Sequence, residues 1–408
     1  MRILFITLID LRSINDNDMY AALMREFVKR GHEMFIVSPY ENTEKIENKL
    51  ILENAKGSEI QSTILKVKTG SIQKTSSIKK GISTLLIEYQ ILAAIKKYFK
   101  HIKFDLVLYS TPPITIVKPI SFIKKRDKAK TFLMLKDIFP QNAVDLEMLT
   151  TTGLKGIIYK MFRKKEKKLY RISDRIGCMS QANVDFLLKQ NSEIPNDKVS
   201  ICPNGIEVIN NEVNEEKRIR LRKKYGLSLD KLVFVYGGNL GEPQGIPFII
   251  KCLEHEKNNE KVEFLIVGSG TQYKKLQFYM EENKPSNAKL LSFIPKDEYD
   301  QLVSVCDVGL IFLDYRFTIP NFPSRLLAYM QSKLPVLAAI DRATDLGKVI
   351  EKGNFGFSCD SNSVQQFSEY VDRFTKLDNL KVLGENGYQY LLKHYTVSVV
   401  YDSIIKVL

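Results

Sequence analysis

Three sets of residues have the types and spacing to do chemistry. The first is a turn, Gly237-Gly238-Asn239-Leu240-Gly241, closed by Gln244 and Gly245, directly after the apolar residues Val233, Phe234, Val235 and Tyr236. Glycines in such a turn let the main chain approach a ligand closely. A helix that follows it aims free N–H groups and a positive dipole end at the guest, and a phosphate is the natural one. The same turn can simply pack a strand on a helix, so it acquires meaning only in company. The second set is Pro323, Ser324 and Arg325, which open the run Leu326-Leu327-Ala328-Tyr329-Met330. Proline suits the first helical position, and N–H groups, a hydroxyl and a guanidinium together would grip a phosphate. The third is Asp137, which follows Phe132-Leu133-Met134-Leu135 and Lys136. A carboxylate at such a strand exit serves as a general base if burial raises its pKa. It reads equally as a helix cap or a salt-bridge partner of Lys136.

Elements must hold these residues. Apolar runs at 2–8, 33–38, 105–109, 131–135, 175–180 and 199–202 predict strands in the first half of the chain. Runs at 232–236, 262–267, 289–293, 307–313 and 335–339 predict strands in the second half. Helical spacing between them, as at 19–30, 82–98 and 296–305, makes the pattern α/β with parallel sheets. Residues 40–80 are polar and lysine-rich, an excursion with short strands such as 62–67. Pro112 and Pro113 stop one strand and open a loop at its carboxyl end, where ligand loops gather in open α/β sheets. A charged stretch after Pro203-Asn204-Gly205 places the domain boundary near 205–210. We therefore expect two doubly wound, Rossmann-like domains facing each other across a cleft, 1–205 and 206–390. A last helix within 391–408 would pack back on the first domain.

Bulk properties narrow the partners. The 408 residues are 44% hydrophobic and carry a formal net charge of +14. Such a charge suits a phosphorylated substrate or an anionic membrane surface. No zinc-finger or RNA-binding signature is present, so no nucleic-acid partner is expected. Much of the excess lies in 154–172, where Lys155, Lys160, Arg163, Lys164, Lys165, Lys167, Lys168 and Arg171 face a single acid, Glu166. With Ile157, Ile158, Met161, Phe162 and Leu169 this is a basic amphipathic helix, able to lie on anionic lipid or to show solvent a charged face. Five scattered cysteines without a C-x-x-C pair argue against a disulfide framework or a metal knuckle. The start of the chain reads as a buried strand rather than a signal peptide. No apolar run reaches the roughly 20 residues that span a bilayer. The expected location is cytoplasmic, peripheral on the inner face of the cell membrane. His32, outside any constellation, reads as structural.

At this point the residues resemble a known family. The Pro-Asn-Gly junction, the Gly237-Gly238-Asn239-Leu240-Gly241 turn with Gln244-Gly245, and Pro323-Ser324-Arg325-Leu326-Leu327 with Tyr329-Met330 look like a GT-B glycosyltransferase of family 4. The nearer branch includes bacterial N-acetyl-fucosaminyl transferases of capsule and O-antigen synthesis. Asp137-Ile138-Phe139-Pro140 resembles that branch's Asp-x-Trp/Phe-Pro motif. The resemblance implies that Gly237, Gly238, Asn239 and Gly241 lie under a donor diphosphate, with Gln244 ending the turn. It implies that Ile294 offers its backbone to the base. Pro323, Ser324 and Arg325 would face the phosphates with Tyr329 nearby, and Asp137 would be the base or the acceptor-orienting group.

Departures from the family qualify the carry-over. Many relatives have Arg and Lys where this chain has Asn239 and Gln244, so the leaving diphosphate needs another cation: Arg325 first, Arg316 second. Pro320 and Ala328 stand at the Glu-x7-Glu positions that hold ribose, and residues 11–18 replace the N-terminal glycine loop. The implied reaction moves a sugar, an N-acetylated amino or deoxy sugar among the candidates, from a nucleotide diphosphate, expected to be a UDP-sugar, to a lipid-diphosphate-linked saccharide. It would proceed with retention and without a metal or other cofactor. The rival readings are a GT-B nucleotide-sugar 2-epimerase and a non-catalytic nucleotide-sugar-binding scaffold.

Overall fold

Branched and aromatic residues with no intervening charge make strands that are buried on both faces, and such strands need helices on each side of the sheet. The computed structural model describes residues 1–40, 47–69, 77–112, 114–209 and 213–408. Pro113, Asn210 and parts of the 40–80 excursion lie outside the described residues. The chain divides into two compact units, Met1–Glu207 with Val397–Leu408, and Val208–Thr396. Each carries its own sheet with Rossmann-like α/β order, wholly parallel in the second unit and parallel apart from one edge strand in the first.

The first unit has β1 (Arg2–Ile6), β2 (Glu33–Tyr40), β3 (Lys49–Asn54), β4 (Gln61–Lys68), β5 (Leu106–Ser110), β6 (Lys130–Leu135), β7 (Arg175–Cys178) and β8 (Val199–Ile201). Their order is β3-β4-β2-β1-β5-β6-β7-β8. The lysine-rich excursion adds more than short strands: β3 runs antiparallel to β4 and forms the edge of the sheet, with Lys49 among its exposed residues. At the centre, Ile3, Phe5, Leu106, Leu108, Phe132 and Met134 are buried. Each such side chain contributes roughly 1.5–3 kcal/mol when fully buried. Helix Met19–Lys29 starts where the Asp18 side chain accepts the N–H groups of Tyr20 and Ala21. Helix Val397–Ile405 lays Val400, Tyr401 and Ile404 into this same core. His32 spends its ring on Met1 N (3.2 Å) and Tyr401 Oη (2.8 Å), a structural use.

The second unit has β9 (Leu232–Asn239), β10 (Val262–Ser269), β11 (Ala288–Leu291), β12 (Val308–Phe312), β13 (Val336–Ile340) and β14 (Gly356–Asp360), in the order β11-β10-β9-β12-β13-β14. All neighbours are parallel. β9 runs three residues beyond the expected end at Tyr236, pairing Gly237, Gly238 and Asn239 with Val267, Gly268 and Ser269. Glycine makes the extension possible. A Cβ on Gly268 would sit 1.9 Å from the Gly238 carbonyl oxygen.

Candidate functional site

The carboxyl ends of β9 and β12, with the helix Arg325–Gln331 that follows β12, bring part of the expected constellation together. Tyr329 is the anchor. It is fully buried, and its hydroxyl lies 3.1 Å from the Val235 and Leu310 carbonyl oxygens and accepts the Gly237 N–H at 3.3 Å. One side chain thus ties the helix to both strands. Burial raises its phenol to about 12, so it stays protonated in ordinary buffers. Arg325 lies one turn earlier on the same helix, with its Cζ 4.2 Å from the Tyr236 ring centroid. A Cβ on Gly238 would lie 3.4 Å from Arg325 Nη2. Arg325 Nη1 is buried without a hydrogen-bond partner. A permanent cation is therefore held against exposed glycine backbone with donor capacity in hand.

Tyr299, which the sequence reading did not single out, completes the cluster. It reaches from helix Lys296–Val303 to Gly237, where an added Cβ would lie 1.8 Å from its hydroxyl. Burial, and then the neighbouring Tyr329, push the Tyr299 phenol well above its usual range. Gly237 is therefore glycine because a tyrosine occupies the space. Nothing local signals this, since Tyr299 sits in a polar helix 62 positions away in sequence.

The turn itself departs from expectation. We expected its N–H groups to stand free for a phosphate. Instead Leu240 N–H donates to Ser269 O (2.9 Å), Gly241 N–H to Gln244 Oε1 (3.1 Å), Gln244 N–H to Gly241 O (3.2 Å) and Gly245 N–H to Glu242 O (3.1 Å). Asn239 Nδ2 also donates to Gln244 Oε1 (3.1 Å). Asn239, Gly241 and Gln244 thus brace the loop. A short 3-10 turn, Glu242–Gln244, precedes Gly245, whose φ of +60° starts helix Ile246–Glu256. Pro247 then removes one more N–H from that helix end.

The second helix is also shifted. It begins at Arg325, so Pro323 lies two residues before the first helical position we expected it to fill. Pro323 and Ser324 carbonyls accept the N–H groups of Leu326 (3.2 Å) and Leu327 (3.1 Å). Those amides are used locally, which leaves the Arg325 side chain, with its unpartnered Nη1, as a donor that this helix end still offers among the described residues. Ser324 is exposed beside it.

Arg316, the second-choice cation, is committed elsewhere. It makes a two-pronged bond to Asp314, Nε to Oδ1 and Nη2 to Oδ2, both 2.8 Å, and its Nη2 lies 3.5 Å from Glu242 Oε2. Asp314 is nearly fully buried, and its N–H donates to Pro243 O (2.9 Å). This network holds the 3-10 turn, and two carboxylates offset the guanidinium charge. Ile294 sits half-buried in the loop between β11 and helix Lys296–Val303, beside a strongly exposed Phe293.

In the first unit, Asp137 emerges from β6 into the loop before helix Gln141–Asp145. It is neither a cap nor an ion-pair partner among the described residues. Lys136 turns inward instead, donating to the Cys202 and Pro203 carbonyls at 3.1 Å each. Thr111 Oγ1 accepts the N–H groups of Lys136 (3.0 Å) and Asp137 (3.2 Å) and donates to Asp137 O (3.1 Å). The carboxylate is left exposed on a braced backbone. The protein packed around it pushes its pKa up, through loss of water alone.

Residues 217–390 match the family model of group 1 glycosyl transferases. The probable glycosyltransferase WbjE of Pseudomonas aeruginosa is 24% identical over 296 residues, 72% of this chain and 71% of that protein. The putative colanic acid biosynthesis glycosyl transferase WcaI of Escherichia coli is 22% identical over 251 residues, and the alignment spans 60% of each. Among solved structures, a sucrose-phosphate synthase of Thermosynechococcus elongatus superposes with a TM-score of 0.74 at 13% identity, covering 99% of this chain and 97% of that one. HepE of Anabaena, solved in complex with UDP-glucose, gives 0.68 at 15% identity over 100% and 98%. These likenesses show the fold, which is GT-B with two Rossmann-like domains, and the family match supports a glycosyltransferase of group 1.

Proposed function

We propose that this chain transfers a sugar from a nucleotide diphosphate, a UDP-sugar, to a lipid-diphosphate-linked saccharide in bacterial surface polysaccharide synthesis. The observation that carries the proposal is Arg325. It is a fixed cation with an unsatisfied Nη1, beside exposed Gly238, on the unit that matches group 1 glycosyl transferases. Negative charge grows on the diphosphate as the sugar leaves, and a preorganised guanidinium stabilises it. Asp137 orients or deprotonates the acceptor hydroxyl, and the raised pKa favours that task. Retention at the anomeric carbon and independence from a metal are part of this reading. So is an N-acetylated amino or deoxy sugar as the group transferred, as in the N-acetyl-fucosaminyl branch.

The UDP and UDP-glucose complexes of HepE and the putative colanic acid role of WcaI support the donor and the pathway class. Among the described residues, no helix is long and apolar enough to cross a membrane. We place the protein peripherally on the inner face of the membrane, held in part by the exposed Lys155, Lys160, Lys164 and Lys168.

The test is a panel of nucleotide sugars, each with and without short-chain lipid-diphosphate-linked saccharides. Glycosylated lipid and released nucleoside diphosphate support the proposal. Interconverted donor with no transfer would mean an epimerase, and tight binding with no turnover a scaffold.

A further inference from the structure

Helix Gly153–Ile172 is amphipathic in an unusual direction. Its buried side is made by Gly156, Glu166, Leu169 and Tyr170. Its outer side carries Leu154 (85% exposed), Ile157 (65%), Ile158 (43%) and Met161 (39%). The spacing of these four residues is that of one stripe along a helix. Met148, just before the helix, is 60% exposed. Monomeric proteins scatter single apolar residues on their surface, but a stripe of this kind marks a contact. The exposed Lys155, Lys160, Lys164 and Lys168 flank it. Lys165 and Lys167 do not belong to this set: they face Glu88 (3.8 Å) and Glu193 (3.0 Å).

We propose that this stripe inserts into the headgroup–acyl boundary of an anionic bilayer, with the four free lysines resting on the lipid phosphates. This deepens the membrane part of the function proposed above by assigning the anchoring to apolar insertion as well as to charge. Charge complementarity selects a bilayer over a neutral protein partner, since an apolar core rimmed by amines matches acyl chains beneath anionic headgroups.

The placement also bears on the acceptor. Phe162 packs edge-on against Phe139 at 5.0 Å, and Tyr159 Oη lies 3.4 Å from Gln141 Oε1. Phe139 belongs to the loop that carries Asp137, and Gln141 opens the short helix that follows it. The inserting helix and that loop are thus one packed piece, and a lipid-borne sugar would be presented at the level of Asp137.

The chain has no tryptophan, so Leu154→Trp installs a single reporter. Vesicles of phosphatidylcholine with one third phosphatidylglycerol should shift its emission to the blue, and lipids brominated near the headgroup end of the chain should quench it. Leu154→Asn with Ile157→Asn should weaken vesicle partitioning at least about tenfold, the loss expected from two apolar side chains. Thermal midpoints should stay unchanged, since both sites are exposed. Salt should remove only the lysine share of the binding. Unshifted emission, wild-type partitioning of the double variant, or a wild-type dimer that the double variant turns into a monomer would each overturn the inference. Donor and acceptor are absent from this measurement, so its failure leaves the transferase reading standing, and the reverse also holds.

Discussion

Arg325 and Tyr329 stand one turn apart on one short helix, and the buried tyrosine fixes where the arginine can be. The Tyr329 hydroxyl lies within 3.1 Å of carbonyls on both β9 and β12 and also takes the Gly237 N–H at 3.3 Å. The Arg325 guanidinium then rests on Tyr236, the residue just before Gly237. The proposed role of Arg325 needs a charge held in place before the reaction begins, and this helix holds the guanidinium through packing and hydrogen bonds.

The anchor can be tested apart from the charge. Tyr329→Phe leaves the ring but removes the hydroxyl that donates to a buried carbonyl and accepts the Gly237 N–H. It should destabilise the protein by roughly 1–3 kcal/mol, read from urea denaturation. The rate of transfer should fall as well, because Arg325 loses its brace. An unchanged midpoint would show that the hydroxyl is not holding the helix.

Arg316 should behave differently from Arg325. Arg316→Ala leaves the nearly buried Asp314 without its two-pronged partner, at a cost of roughly 1–3 kcal/mol. Calorimetric affinity for UDP should stay near that of the wild type. A loss of affinity as large as that of Arg325→Ala would mean that Arg316 faces the diphosphate after all.

Asp137 has a signature in pH. Its folded pKa lies above the unfolded value of 3.8. A raised carboxyl favours the folded state below the unfolded pKa, and that advantage is lost as pH rises through the folded pKa. Asp137→Asn should therefore be at least as stable as wild type near neutrality, with any gain vanishing below pH 3.8. Transfer should drop and lose the acid limb of its pH profile. A variant that is less stable at neutral pH would contradict this account.

Charge reversal separates the free lysines from the paired ones. Lys160→Glu with Lys164→Glu and Lys168→Glu should reduce flotation with phosphatidylglycerol vesicles, most clearly at low salt. Lys165→Glu with Lys167→Glu should cost more stability than binding, because those lysines face Glu88 and Glu193. Equal effects on flotation would mean that the structure assigns the wrong lysines to the lipid.

The fold was legible because its signal is local. Strands such as 132–135 and 233–236 are uncharged runs, and the helices between them keep their spacing. The antiparallel β3 was hidden because its apolar run is only Leu50-Ile51-Leu52, set between Lys49 and Glu53 in a polar, lysine-rich stretch. In the site, glycine types predicted a close approach, but the approaching groups are the protein's own: Tyr299 at Gly237, and the Gly238 carbonyl at Gly268. Those contacts join residues far apart in sequence, and no local pattern records them. Arg316 was misjudged for a different reason: its partner Asp314 lies only two positions away but looks in sequence like one more loop carboxylate.

The most direct measurement is transfer by Arg325→Ala and Arg325→Lys, with circular dichroism and thermal midpoints matched to wild type. If Arg325 carries the charge that stabilises the leaving diphosphate, alanine should lower kcat by about 10²–10³-fold. Lysine should restore part of it as a point charge without the fork. Near wild-type kcat in a folded Arg325→Ala protein would contradict the account at its centre.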